Sequence, residues 1–427
     1  MGVQFGEAVK VWFKIGCLGF GGPAGQIALM HRILVDEKKW VEESRYLHAL
    51  NFCMLLPGPE AQKLATYVGW LLHGTRGGLA AGILFVLPGA LVMLAMSLLY
   101  ALGQGIPAVD GALFGIKAAV LVIVVEALLR IGRRGLKTRL MLGVAAAAFV
   151  GIFFFALPFP LIVAVAGAIG FFTTERTRRI EHRTENPGAW RQAARAALVG
   201  LTLWLAPIAL VVLALGTRHV LFDIAGFFSK LAVVSFGGAY ALLAYMAQQA
   251  VETYGWMSAP EMVDGLGLAE TLPGPLIKVT QFVGFLAAYR DPAPFSPVAA
   301  AVLGSALTTW VTFVPPMMMI FAGAPFIEQL RSNARLSGAL AAVTAAVVGV
   351  ILNLTLWFAL HVLFAHVEEA RAGWLRWYTF DPWALDLKTG ALALIAAAIA
   401  FWLHRGLIEL VVIMAALGIA VRLLLGA

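Results

Sequence analysis

The chain has 427 residues, 61% of them hydrophobic and 13% charged, with a formal net charge of +8 and a mean hydropathy of +0.88. A soluble domain carries about 45–50% apolar and about 25% charged residues, so an ordinary soluble globular protein is excluded. The positive excess lies in loops beside apolar stretches, where Lys and Arg mark the cytoplasmic side; it gives no reason to expect a nucleic-acid partner.

In chain order, the N-terminus lacks the basic head, short apolar run and small-residue cleavage site of a signal peptide. Nine stretches then read as bilayer spans or nearly so: 79–101, 111–129, 141–155, 157–173, 196–215, 296–322, 338–363, 389–403 and 407–425. They are rich in Leu, Ala and Gly without period-2 alternation, which favours helices over a barrel. The predicted fold is an all-α polytopic membrane protein, with about nine full crossings plus four broken segments and up to about 13 spans. Cys17 and Cys53 lie in apolar segments, so neither a disulfide framework nor a cysteine-based metal site is expected.

The chain contains two copies of one unit. Phe20-Gly21-Gly22, Trp40 and Leu56-Pro57-Gly58-Pro59 recur as Phe236-Gly237-Gly238, Trp256 and Leu272-Pro273-Gly274-Pro275, all 216 positions later, as do Lys14 and Lys230. Further on the offset becomes 227, pairing Gly77 with Gly304, Pro88 with Pro315 and Gly111 with Gly338; a Pro-rich insert around 291–297 absorbs the change. This predicts a first repeat over 1–175, a basic cytoplasmic linker over 176–195, a crossing helix over 196–216 and a second repeat over 217–427. The loop 31–48 holds Arg32, Lys38, Lys39 and Arg45, whereas its partner 247–264 holds no Lys or Arg; 130–139 and 357–366 differ in the same way. The halves are therefore expected to insert upside-down relative to each other, as transporter repeats do around a midplane site.

Each half carries two broken segments, at Phe20-Gly21-Gly22-Pro23 and Pro57-Gly58-Pro59, and at Phe236-Gly237-Gly238 and Pro273-Gly274-Pro275. Proline cannot continue a helix but suits the first position of a new one. Pro23, Pro59 and Pro275 are thus expected to start half-helices whose free N–H groups and dipoles suit a small anion. The alternative is that the breaks are kinks for close packing. Whether the broken segments cross or return as hairpins stays open, with hairpins agreeing better with the basic loops.

Ionisable groups inside spans are functional candidates by default. Lys14 and Lys230 either face the site or snorkel to an interface. Lys63 and Lys278 follow the Pro-Gly-Pro breaks and would add positive charge there. Glu60 caps its own half-helix or carries a coupling proton; Glu270, opposite Met54, is a coupling or capping residue. Glu126 and Asn353 are equivalent in the two repeats, and Glu126 is expected to pair with Lys117 or Arg130. Gln62 and Gln281, with Thr66 and Tyr67, could donate to an oxyanion. No histidine spacing suggests a metal and no Gly-Lys-Ser/Thr loop suggests ATP; no catalytic residue or cofactor is expected.

At these motifs the sequence resembles the chromate ion transporter family in its long, two-domain form. The likeness rests on Phe20-Gly-Gly-Pro23, Leu56-Pro-Gly-Pro-Glu-Ala-Gln62, Leu64-Ala-Thr-Tyr-Val-Gly-Trp70, Ser235-Phe-Gly-Gly238, Ala269-Glu-Thr-Leu-Pro-Gly-Pro-Leu276, Gln281-Phe-Val-Gly-Phe285 and Ala345-Ala-Val-Val-Gly-Val-Ile-Leu-Asn353. The resemblance implies export of chromate from the bacterial cytoplasm across the inner membrane, chromate resistance, and halves of opposite orientation. Lys63 and Lys278 stand where many relatives are expected to carry a neutral residue. Sulfate, alike in shape and charge, is the rival substrate; a membrane-embedded reductase or hydrolase is the rival class. Homodimerisation stays open, with no motif behind it.

Overall fold

The computed structural model describes residues 3–20, 22–103, 105–174, 188–235, 239–326, 334–364 and 366–425. Among these, six helices are long and apolar enough to cross a membrane: Glu60–Leu102, Pro107–Arg133, Trp190–Leu215, Pro297–Gly323, Ala334–Leu363 and Leu407–Leu424. Three shorter apolar helices join them, Arg139–Phe155, Phe159–Thr173 and Leu387–Trp402. These nine coincide with the nine stretches expected from the sequence. The chain is an all-α polytopic membrane protein, with one antiparallel β-hairpin, β1 (Val367–Ala372) and β2 (Leu375–Phe380).

The helices in order are α1 (Phe5–Leu18), α2 (Gly22–His31), α3 (Glu43–Leu55), α4 (Glu60–Leu102), α5 (Pro107–Gly135), α6 (Arg139–Phe155), α7 (Phe159–Thr173) and α8 (Ala189–Leu215). There follow α9 (Val220–Val233), α10 (Ala239–Gln248), α11 (Ala259–Thr271), α12 (Val279–Arg290), α13 (Pro297–Gly323), α14 (Ala334–Leu363), α15 (Leu387–Ala397) and α16 (Leu407–Leu425). The chain forms two compact units. One comprises Met1–Leu94, Ala168–Ala239 and Leu272–Leu340; the other comprises Ala95–Gly167, Tyr240–Thr271 and Ala341–Ala427. Each unit draws on both sequence repeats, so the compact units cut across the duplication.

In the first unit, α4 is two helices. Backbone angles leave the helical region at His73 and at Gly74, whose φ is +60°. The chain folds back so closely that a Cβ on Gly69 would stand 2.5 Å from the carbonyl oxygen of Gly77. The second repeat makes the same turn with the longer loop between α12 and α13, where a Cβ on Gly304 would stand 2.5 Å from the carbonyl oxygen of Gly284. The insert that shifts the repeat offset is thus a longer version of one turn. The stretches 61–69 and 279–288 are buried throughout, which lets them hold Gln62, Lys63, Thr66, Thr280 and Gln281 away from lipid. α8, by contrast, is mostly exposed and apolar, the pattern of a lipid-facing span.

In the second unit, α5 packs along α16 through glycines. A Cβ on Gly115 would stand 1.8 Å from the carbonyl oxygen of Met414, and one on Gly418 2.2 Å from that of Gly111. Small residues let helix backbones approach where lipid supplies no hydrophobic drive for association.

Candidate functional site

The interruptions meet in the first unit. The Gly58 amide donates to the Ser235 carbonyl at 3.0 Å, and the Gly274 amide donates to the Gly19 carbonyl at 2.9 Å. Gly58 and Gly274 are 216 positions apart, and so are Gly19 and Ser235. The two bonds are therefore one bond made twice, each Pro-Gly-Pro turn gripping the residue that precedes the other half's Phe-Gly-Gly. Both turns need glycine: φ is +107° at Gly58 and +94° at Gly274, a region that side chains disfavour. A Cβ on Gly58 would stand 2.4 Å from the Pro316 ring, and one on Gly274 3.3 Å from the Cα of Gly89.

The prolines sit at helix starts. Pro23 is the second residue of α2, Pro59 immediately precedes α4, and Pro275 precedes the short 3-10 turn Leu276–Lys278 that leads into α12. Pro57 and Pro273 lie within the turns, and Glu60 opens α4. Gly22, with φ +65°, is the first residue of α2. Gly21, Gly237 and Gly238 lie outside the described residues, as do Arg176, Arg178, Arg179 and Arg183 of the linker.

Lys63 and Lys278 are fully buried and reach back over their own breaks. The Lys63 ammonium donates to the Leu56 carbonyl; that of Lys278 donates to the Leu272 carbonyl at 2.8 Å and the Gly274 carbonyl at 3.2 Å. The Leu56 and Leu272 carbonyls directly follow the preceding half-helices, where unpaired C=O groups carry partial negative charge, and that of Gly274 lies in the turn itself. Two buried cations thus stand beside the two turns, with part of their hydrogen-bonding capacity used by the backbone.

Gln62 donates to the Phe313 carbonyl at 3.1 Å and Gln281 to that of Ala90 at 2.9 Å. An amide carries two N–H donors, so each side chain keeps one beyond these bonds. Both glutamines line a groove of about 980 Å³, together with Gln192 and Arg195 and with largely apolar neighbours such as Trp70 and Trp310. The groove's lining is all within this unit.

Other expected residues are placed elsewhere. Lys14 and Lys230 are exposed on α1 and α9. Glu126 lies 4.0 Å from Arg130 and keeps 47% of its side chain exposed; Lys117 pairs with Asp264 instead, at 3.3 Å. Asn353 is buried in the second unit beside Gln248, Trp357 and Arg376. Glu270 is buried in the last turn of α11. Among the described residues no group of three His, Cys, Asp or Glu side chains could hold a metal.

Sequence reasoning passed over three residues. Gln26 is buried and its Nε2 bridges the carbonyls of Gly19 at 3.1 Å and Gly274 at 2.7 Å; its signal was a lone amide in the apolar half-helix after Pro23. Asp264 lies inside α11, not in a loop. Arg376 is 3% exposed and pairs with Glu252 at 3.3 Å, while donating to the Ile152 and Phe153 carbonyls at the end of α6. Nothing in the local sequence marks the last.

Comparison with known proteins gives a consistent result. The family described as chromate transporter has a model that matches residues 6–171 and 222–421. A chromate transport protein of Pseudomonas aeruginosa is 34% identical over 346 residues, 80% of this chain and 77% of its own. A probable chromate transport protein of Synechococcus elongatus is 27% identical over 81% of this chain and 82% of its own. A chromate transport protein of Cupriavidus metallidurans is 25% identical over 81% and 80%. No solved structure matches the chain.

Proposed function

The chain belongs to the chromate transporter family, a multi-pass protein of the cell membrane, and from that premise we propose that it exports chromate from the cytoplasm by alternating access and so confers chromate resistance. The observation that carries the reading is the reciprocal pair of bonds, Gly58 to Ser235 and Gly274 to Gly19. It joins interrupted segments from both repeats in the manner of carriers built on duplicated halves, which bind substrate where discontinuous helices meet. Helix starts at Pro23, Pro59 and Pro275 and the ammonium groups of Lys63 and Lys278 would supply positive potential beside the turns, and Gln62 and Gln281 would offer their spare amide donors to the groove they line. A tetrahedral dianion matches that set. The two repeats insert with opposite orientation, a reading supported by the Lys and Arg that 31–48 and 130–139 carry and that their counterparts 247–264 and 357–366 lack.

Membrane potential favours the outward step. One charge gains about 2.3 kcal/mol per 100 mV and an uncompensated dianion about twice that. Relatives whose printed activity is transport support a carrier over a membrane-embedded reductase or hydrolase. The test is chromate flux across liposomes holding the purified protein, at zero and at imposed potential, with sulfate as competitor. Flux that follows the potential supports the reading, and the strength of sulfate competition ranks the two oxyanions. A folded preparation that moves neither anion under any gradient would sink it.

A further inference from the structure

We propose that Asp264 is a proton-binding site of this carrier, taking up a proton in exchange for its ion pair with Lys117; the proposal rests on the transport reading above. Asp264 lies inside α11 with 4% of its side chain exposed. Its Oδ2 accepts from the Tyr100 hydroxyl at 3.0 Å and lies 3.3 Å from the Lys117 Nζ. Oδ1 is buried and, among the described residues, without a hydrogen-bond partner. A carboxylate so placed is costly in a membrane protein, and its pairing with a buried or half-buried cation repays that cost only when geometry and satisfaction are good. Here one carboxylate oxygen is left unsatisfied, so the charged form gains less from its surroundings than a fully bonded carboxylate would.

The step is a simple one. A proton from water adds to a carboxylate oxygen and forms an O–H bond. Asp264 becomes neutral, Lys117 keeps its proton and its charge, and the cluster goes from net zero to +1. Loss of the proton restores the pair. Lys117 keeps 27% of its side chain exposed, whereas that of Asp264 is 4% exposed. A metal cation does not fit, because hard cations take about six or more oxygen ligands and an ammonium already occupies this carboxylate.

The duplication argues against a purely structural pair. The position 216 before Asp264 is His48, and the position 227 after Lys117 is Thr344. A bridge required for folding of the repeat would be expected in both copies. α11 ends at Thr271, two residues before Pro273-Gly274-Pro275 in the chain.

Other charges around it are already engaged. α11 packs against α5 and α16. On α5, Asp110 lies 3.5 Å from Arg422 of α16, and Glu126 lies 4.0 Å from Arg130. On α16, Glu409 lies 3.5 Å from Arg405. On α11 itself, Glu261 accepts from the Ser258 amide and hydroxyl.

The experiment uses the full chain in liposomes, with chromate as the probe. At zero potential, an imposed pH gradient is expected to drive net chromate movement by wild type. Asp264→Asn is expected to keep chromate-for-chromate exchange and lose the response to the gradient. An Asp264→Asn protein that responds like wild type overturns the proposal. Absence of any chromate exchange in wild type overturns the transport reading instead. Infrared difference spectra then decide the proton site alone: a protonated-carboxyl band on acidification, absent in Asp264→Asn, supports it, and identical spectra overturn it. If Asp264→Asn does not fold, Tyr100→Phe removes one hydrogen bond and is expected to shift the midpoint of that band; an unmoved midpoint overturns the proposal.

Discussion

The amide of Gly274 donates to the carbonyl of Gly19 at 2.9 Å, joining the second repeat's Pro-Gly-Pro turn to the end of the first repeat's opening helix. Its counterpart between Gly58 and Ser235 does the same for the other pair, so each Pro-Gly-Pro turn is held by the segment of the opposite repeat. A backbone bond of this kind can form only if each turn presents its N–H outward, which the positive φ at Gly58 and Gly274 permits.

The first prediction concerns that permission. Gly58→Ala meets both a disfavoured φ and the Pro316 ring at 2.4 Å. The backbone penalty alone is about 1–2 kcal/mol, and the clash adds to it. Gly274→Ala meets its nearest atom at 3.3 Å and should suffer chiefly the backbone penalty. Thermal unfolding in detergent is expected to rank wild type above Gly274→Ala and Gly274→Ala above Gly58→Ala. Equal stability of all three would show that the turns are softer than drawn.

Lys63→Met and Lys278→Met test the buried cations. Each substitution leaves carbonyls at the break without their donor, and an unsatisfied buried polar group costs about 1–3 kcal/mol. Both variants are therefore expected to melt earlier than wild type. If the ammonium groups also attract the dianion, KM for chromate rises well beyond what stability explains. Variants that are destabilised yet keep the wild-type KM would confine these lysines to holding the turns.

Gln26→Leu removes the amide that bridges Gly19 and Gly274, and its effect should appear as lost stability. Gln62→Leu and Gln281→Leu each lose one backbone hydrogen bond and a spare donor. Their expected signature is a higher KM with a smaller loss of stability than Gln26→Leu shows. A Gln62→Leu, Gln281→Leu double variant with unaltered chromate affinity would remove these residues from the substrate's path.

The Arg376 cluster predicts a pH effect outside the spans. Burial raises the Glu252 carboxyl above its ordinary range, while Arg376 pulls it back. The folded Glu252–Arg376 cluster thus binds this proton more strongly than the unfolded chain does. Its contribution is fully present below the ordinary carboxylate range and is lost as pH rises through the raised value. Amide exchange over 367–380, corrected for intrinsic rates, is expected to be faster at neutral than at acidic pH. In Arg376→Leu the segment should exchange faster at every pH, because the Ile152 and Phe153 carbonyls lose their donor, and most of all at neutral pH, where the ionised Glu252 also loses its cation.

Much of this was legible in the sequence. The nine apolar stretches and the duplicated glycines and prolines lie in local pattern and spacing, and each of them among the described residues has a helix or a turn to match it. The partners of those turns were not legible. That Gly58 would bond Ser235, or Lys63 the Leu56 carbonyl, depends on how distant segments close upon each other, and period carries no such information. Asp264 was misplaced for a related reason: 247–264 was read as a loop because it is the partner of 31–48 at the repeat offset, whereas α11 takes up Ala259–Thr271 and pairing with Lys117 and Tyr100 lets one acid sit inside a helix.

Orientation gives the last prediction. The segments 31–48 and 130–139, expected as loops but largely taken up by helix ends in the structure, are expected in the cytoplasm, and their counterparts without Lys or Arg outside. In a protein whose Cys17 and Cys53 are replaced by alanine, single cysteines at Ser44, Arg133, Tyr254 and Trp374 would report the side of each. All four positions are exposed. An impermeant maleimide should label Ser44→Cys and Arg133→Cys in inside-out vesicles, and Tyr254→Cys and Trp374→Cys in intact cells. If Ser44→Cys labels from outside while Arg133→Cys labels from inside, the broken segments cross the bilayer and do not return as hairpins. If Ser44→Cys and Tyr254→Cys label from the same side, the two repeats do not oppose each other, and the reciprocal glycine bonds would have to arise between parallel halves.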